Sequence, residues 1–283
     1  MESVLDATYV INMDTDAGRL VDFNSMMTSC NWKYERFAGI NGKKVLSDGN
    51  YSTDNSKTSA IIDPEKLQAL RAMKNKYVRY ITWLSASEIG CLLSHVSLWE
   101  EVANNPDKHR IAIFEDDART HVDGNTIREL LGDFYSHLKT NNIPEPDMLY
   151  LGKALDDCMS YEKIWGNVYT SKHPLCLHAY IITKSGAQKL LKMAPYGLAI
   201  DMIPINAIKQ GLINVMAFHP SIYFQDVFNN MSNLRQLKYA VNHTTECLVS
   251  QQHITGDTWH YTFIIAIGLI AVIILFVIYM HFR

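Results

Sequence analysis

The stretch Arg110-Ile-Ala-Ile-Phe-Glu-Asp-Asp117 constrains this chain more than any other. Ile111, Ile113 and Phe114 favour extended backbone, and the run reads as a short buried strand. It stops at three acids, Glu115, Asp116 and Asp117. A buried strand that delivers carboxylates at its C-terminal end is the site geometry of an open α/β sheet. Carboxylates so spaced can share one hard divalent cation, directly or through water, and that cation can hold a diphosphate. The plain alternative is a solvated acidic turn; the hydrophobic strand in front of the acids is what favours a site.

The surrounding chain supplies the rest of such a sheet. Residues 8–13 read as a first buried strand with Asn12 and Asp14 at its end, and residues 16–30 as a helix carrying Arg19 on its first turns. Tyr34–Phe37 is a second short strand closed by the turn signal Asn41-Gly42, which completes a βαβ order. Residues 45–60 are rich in Ser, Thr, Asn and Asp and read as a surface loop, and Pro64 fits the first turn of a helix to about Lys74. Ser85-Ala-Ser-Glu88 has capping-box spacing and predicts a helix to about Ala103. Its face holds Cys91, Leu92, His95, Val96 and Trp99. A histidine on such a face is more often a core residue than a ligand, but Ser94 beside it keeps a functional role open. Further strands are expected at 148–151, 177–182 and 213–218, and helices at 125–140 and 185–193, with 154–175 irregular. Asp201 stands among apolar neighbours, either hydrogen-bonded structurally or tuned as a base. His219-Pro220 follows the last strand, where the histidine either makes a turn or reaches a metal.

With a net charge of -3 and no basic patch, nucleic acid is not an expected partner. The five cysteines are scattered and lack CxxC spacing, which argues against a structural zinc site and against a disulfide framework, and fits a reducing compartment. No secretory signal opens the chain. Residues 261–280 carry no formal charge and are rich in Ile; at about 1.5 Å per residue they span roughly 30 Å, the thickness of a bilayer core. The expected division is a domain at 1–238, a linker at 239–260, a transmembrane helix at 261–280 and a short tail at 281–283. Insertion after synthesis as a tail anchor leaves the domain on the cytosolic side of a cellular or viral internal membrane, although Arg283 mildly favours the opposite orientation.

Several stretches in register resemble glycosyltransferase family 25, the family of bacterial lipo-oligosaccharide galactosyltransferases and collagen galactosyltransferase domains. They are Tyr9–Met13 with Arg19, Glu35–Phe37 with Asn41-Gly42, Ser87-Glu-Ile-Gly-Cys-Leu-Leu-Ser-His-Val-Ser-Leu-Trp99, and Ile113–Asp117. His178–Ile182 with Gly186-Ala187, Ile200-Asp201, and Pro220 followed by Gln225 complete the set, which covers residues 7 to about 235. The resemblance implies an α/β fold with a GT-A-like, Rossmann-type nucleotide-sugar transferase domain. It implies an inverting transfer of galactose or another hexose from a UDP-sugar donor to a glycan, protein or lipid acceptor. By motif match, Glu115 and Asp117 would hold Mn²⁺ or Mg²⁺ with Asp116 between them, Asn12 and Arg19 would lie near the nucleotide, and Glu88, Ser94 and His95 would line the donor pocket. The family's Val-Asp-Gly turn is Ile40-Asn41-Gly42 here, one carboxylate fewer.

Inversion needs a base for the acceptor hydroxyl. Asp201 is the first candidate and Asp226 the reserve, while His219 is a further candidate for the metal. Two rival readings are a membrane-tethered domain that has lost turnover and acts in glycan binding or assembly, and a metal-dependent phosphohydrolase built on the same acids.

Overall fold

A computed structural model describes residues 4–46, 85–226 and 246–247. The loop expected at 45–60 lies almost wholly outside those residues, as do the helix from Pro64, most of the linker and the apolar stretch 261–280. Among the described residues no helix is long and apolar enough to cross a membrane.

The chain runs through β1 (Ala7–Asn12), α1 (Ala17–Ser29), β2 (Glu35–Ala38), α2 (Gly42–Leu46), α3 (Ala86–Asn104), β3 (Arg110–Glu115) and β4 (Ala118–Arg119). It continues with α4 (Gly124–Thr140), β5 (Met148–Ala154), β6 (Lys163–Trp165), β7 (Val168–Thr170), β8 (Leu175–Thr183), α5 (Lys184–Leu191), α6 (Met202–Lys209), β9 (Val215–Phe218) and β10 (Phe224–Gln225). Eight strands form one mixed sheet in the order β2-β1-β3-β8-β5-β9-β7-β6, and β10 pairs β4 in a small second sheet. β1 is parallel to both β2 and β3, whereas β8 is antiparallel to β3 and β5.

Strand alternation divides the core. In β3, Ile111 and Ile113 pack with Trp99, Tyr180 and the apolar residues of α3, α5 and α6. Ala112 and Phe114 point to the other face and pack with Phe23 and Met27 of α1 and Ile127, Leu131 and Phe134 of α4. The sheet is thus covered on both sides, the Rossmann-like arrangement expected of a βαβ start. The order β2-β1-β3 makes the gap between β1 and β3 a switch point, where the chain leaves one strand for one side and later returns on the other.

The helix expected from Ser85 forms as α3 with both capping-box bonds: Ser85 Oγ accepts from the Glu88 N–H and the Glu88 carboxylate accepts from the Ser85 N–H. The segment 154–175 is not irregular throughout. β6 and β7 form a hairpin around Gly166, which takes φ +46, at the edge of the sheet. Three-residue strands are too short to show a period in sequence.

The cysteine reading is corrected. Cys158 and Cys247 form a disulfide across 89 residues of sequence. Cys247 also bridges Asp156, and the Glu246 carbonyl accepts from the Asp156 N–H. Neither cysteine has a paired neighbour in sequence, so only the fold brings them within bonding distance.

Candidate active site

The C-terminal ends of β1 and β3 lie side by side, with Ile11 opposite Glu115. They open into a cleft of about 630 Å³ lined by the three acids, Arg19, Ser94 and His95, among others. The strand places Glu115, and the turn that follows it separates Asp116 and Asp117 from it. Glu115 continues the face of Ile111 and Ile113 toward α3, where His95 Nε2 lies 3.2 Å from Glu115 Oε1. Asp116 turns toward α1: its two oxygens accept from Asn12 Nδ2 at 2.7 Å and from Arg19 at 3.1 Å. Asp117, also buried, accepts from Gln225 Nε2 at 3.1 Å through Oδ2, while its Oδ1 is buried with no hydrogen-bond partner.

The three environments tune the acids differently. Burial works against the Glu115 carboxylate, but the His95 hydrogen bond prevails and holds it below the ordinary range. Burial raises Asp116, and its bonds to Asn12 and Arg19 hold it back only in part. Burial and the adjacent Glu115 charge push Asp117 up to about 7.

Each arm is braced from behind. Arg36 on β2 donates to Asn12 Oδ1 at 2.9 Å and to its carbonyl at 3.1 Å, which leaves the Asn12 amide N–H group to face Asp116. His95 is fully buried and its Nδ1 lies 3.0 Å from the Tyr180 hydroxyl, whose oxygen accepts from Trp99 Nε1 at 2.9 Å. Ser94 ties the loop after β2 to α3, accepting from the Ile40 N–H at 2.9 Å and donating to the Gly90 carbonyl at 2.7 Å. That loop touches the helix so closely that a Cβ on Gly42 would sit 1.7 Å from the Ala86 carbonyl oxygen. Asn41, which stands where the family's turn carries an acid, lines the cleft and its side-chain oxygen accepts from the N–H groups of Lys43 and Lys44.

The structure therefore gathers Asn12, Arg19, Ser94, His95, Glu115, Asp116 and Asp117 at one cleft. Glu88 serves the start of α3 through its capping bond. Asp201 stands at the N-terminus of α6 with no side-chain capping bond; burial and the Glu115 charge raise it above the usual carboxylate range. Asp226 follows β10, and its N–H donates to the Asp117 carbonyl. His219 is not brought to the acids: its Nδ1 lies 2.8 Å from Glu246, beside Cys158 and Cys247. Arg36, Tyr180 and Gln225 lie within the motifs, but nothing local in the sequence marks a role for them. Their roles depend on contacts between residues far apart in the chain.

A Rossmann-like sheet with acids at its switch point defines an α/β protein whose cleft lies at the strand ends. The profile of glycosyltransferase family 25 (LPS biosynthesis protein) matches residues 5–204, and the chain belongs to that family. Procollagen galactosyltransferase 1-A of Xenopus laevis is 27% identical over 177 residues, 62% of this chain and 26% of its own length. Procollagen galactosyltransferase 2 of Homo sapiens is 26% identical over 155 residues, 52% of this chain and 22% of its own length. A relative described as probable inactive glycosyltransferase 25 family member 3, from Rattus norvegicus, is 32% identical over 115 residues, 40% of this chain and 19% of its own length. The chain thus spans between 19% and 26% of the length of these relatives.

Proposed function

We propose that this chain is an inverting, metal-dependent glycosyltransferase that moves galactose or another hexose from a UDP-sugar to a glycan, protein or lipid acceptor. The observation that carries the reading is Asp117 Oδ1, a buried carboxylate oxygen with no partner in a cleft shared with Glu115. A buried carboxylate oxygen left unpaired is costly once ionised; a proton relieves it, which is why the Asp117 carboxyl is raised, and a bound cation would relieve it at higher pH. The donor set suits a hard divalent ion, so Glu115 and Asp117 would hold Mn²⁺ or Mg²⁺. When bound, such an ion supplies Lewis-acid neutralisation of the leaving diphosphate.

The chain's own residues do the rest. Arg19 is a positive charge at the cleft, paired with Asp116, and would donate to the phosphate oxygens of a bound donor. Asn12 and Arg36 fix Asp116, so the Arg19 guanidinium keeps one orientation. Asp201, with its carboxyl raised by burial, takes the proton of the acceptor hydroxyl; Asp226 is the alternative base.

Thermal shift against a panel of UDP-sugars, with and without Mn²⁺, tests the donor, because a ligand that binds only the folded state raises its melting point. Stabilisation by UDP-sugar that needs Mn²⁺, lost in Asp117→Ala, is the expected result. No stabilisation by any UDP-sugar would remove the reading. Asp201→Asn should lower turnover and leave donor binding in place; unchanged turnover hands the base role to another residue.

The presence of a relative described as inactive favours one second reading, a domain that binds glycans without turnover. Mn²⁺-dependent donor binding with no transfer and no donor hydrolysis would select it. The proposed anchor at 261–280 is a separate matter, checked by whether alkaline carbonate extracts the protein from membranes.

A further inference from the structure

Cys91 and His95 stand one turn apart on α3, where residues four apart share a face. Both look onto Glu115 at the end of β3, and all three line the cleft. Cys91 Sγ lies 3.9 Å and His95 Nε2 lies 3.2 Å from the same oxygen, Glu115 Oε1, and the three ligand atoms lie within 4.8 Å of one another. Zinc bonds of about 2.3 Å to sulfur, about 2.05 Å to nitrogen and about 2.1 Å to oxygen give tetrahedral edges of roughly 3.6 Å (S···O) and roughly 3.4 Å (N···O). The two separations from Glu115 Oε1 lie within a few tenths of an ångström of those edges. The set of one thiol, one imidazole and one carboxylate differs from the all-oxygen acid pair in the direction that favours a softer ion.

The outer contacts match as well. Metal-bound histidines hold their second ring nitrogen in a hydrogen bond that fixes the ring. Here Tyr180 Oη lies 3.0 Å from His95 Nδ1, and Trp99 Nε1 donates to that oxygen from the far side. A phenol oxygen can donate to Nδ1 or accept from it, so it serves the imidazole both free and bound through Nε2. The Tyr180 ring also stacks on the His95 ring at 5.8 Å between centroids.

We propose that Cys91, His95 and Glu115 form a three-ligand Zn²⁺ site with its fourth position open to the cleft. Binding releases the Cys91 thiol proton to solvent and leaves the ion held by thiolate, neutral imidazole and carboxylate. The site goes beyond the transferase reading and does not depend on it. Where that reading also holds, Glu115 is shared, and Zn²⁺ draws it away from the pair it forms with Asp117.

Cobalt titration of the full chain tests the site directly, since Co²⁺ reports thiolate ligation by a near-ultraviolet charge-transfer band. The wild-type protein should take up one Co²⁺ with that band, and Zn²⁺ should displace it. Cys91→Ser, a near-isosteric change, should abolish the band and weaken Zn²⁺ binding at least about tenfold. Cys30→Ser and Cys176→Ser, at the other two free thiols, should retain it. On unmutated protein, Zn²⁺ should protect Cys91 from alkylation, read by peptide mass spectrometry. A band that survives Cys91→Ser, a wild-type protein with no band, or alkylation of Cys91 unaffected by Zn²⁺ overturns the proposal. These readouts need no sugar donor, so they stand whether or not transfer is detected.

Discussion

Two buried aspartates at different places on the sheet show how one residue type is used for opposite ends. Asp156, beside the Cys158–Cys247 disulfide, is fully buried and accepts four hydrogen bonds: from Tyr161, from Ser171 and from the N–H groups of Asp157 and His173. Asp117, in the cleft, is 3% exposed and keeps one oxygen with no partner. Burial alone does not distinguish them. A carboxylate whose oxygens are all engaged holds loops together; the unused oxygen of Asp117 is what the proposed cation would take up.

The comparison can be broken at either end. The largest expected effect is on activity: Asp117→Ala should lower transfer by about 1000-fold, equivalent to about 4 kcal/mol of barrier, as measured by sugar transfer at saturating donor. Transfer close to wild type in that variant would mean that the unused oxygen has no catalytic purpose. At the other aspartate the effect should fall on stability. Asp156→Ala strands four donors, two of them side-chain hydroxyls, and should cost about 3 kcal/mol in chemical denaturation. A comparable loss, about 3 kcal/mol, should follow reduction of the Cys158–Cys247 disulfide, which closes a long loop in the unfolded chain.

The pH dependence of stability sharpens the comparison most. The Asp117 carboxyl is raised from 3.8 to about 7, so between those values the folded chain holds a proton that the unfolded chain has lost. Stability of the metal-free protein should therefore fall as pH rises from about 4 to about 7 and level off above it. Asp117→Asn removes that slope and should raise the melting point at pH 8, where the wild-type carboxylate is ionised and buried. A variant that melts lower than wild type at pH 8 would show that the ionised carboxylate has a partner after all.

Much of the fold was legible because local and global signals agree. The apolar run before Glu115, the capping box at Ser85 and the strand–helix–strand start each carry a short-range physical cause, and each element formed within a residue or so of its expected ends. The hairpin of β6 and β7 was missed because each strand has three residues. The disulfide was missed because its two cysteines are 89 residues apart. His219 looked like a metal ligand because it follows a strand, yet Glu246, far along the chain, takes its ring nitrogen.

By itself the sequence determined which residue types stand at the strand ends, since apolar periodicity decides what is buried and three consecutive acids mark where burial stops. It also determined membership of a family, through motifs that keep their order. The division of labour among the acids was decided by tertiary structure alone. Alternation along β3 sends Glu115 toward His95 and Cys91, and the turn that follows the strand sends Asp116 toward Asn12 and Arg19 and leaves Asp117 to Gln225. Consecutive carboxylates are chemically alike in a chain; they become different only when each is desolvated beside its own neighbours, and those neighbours come from helices and strands remote in sequence.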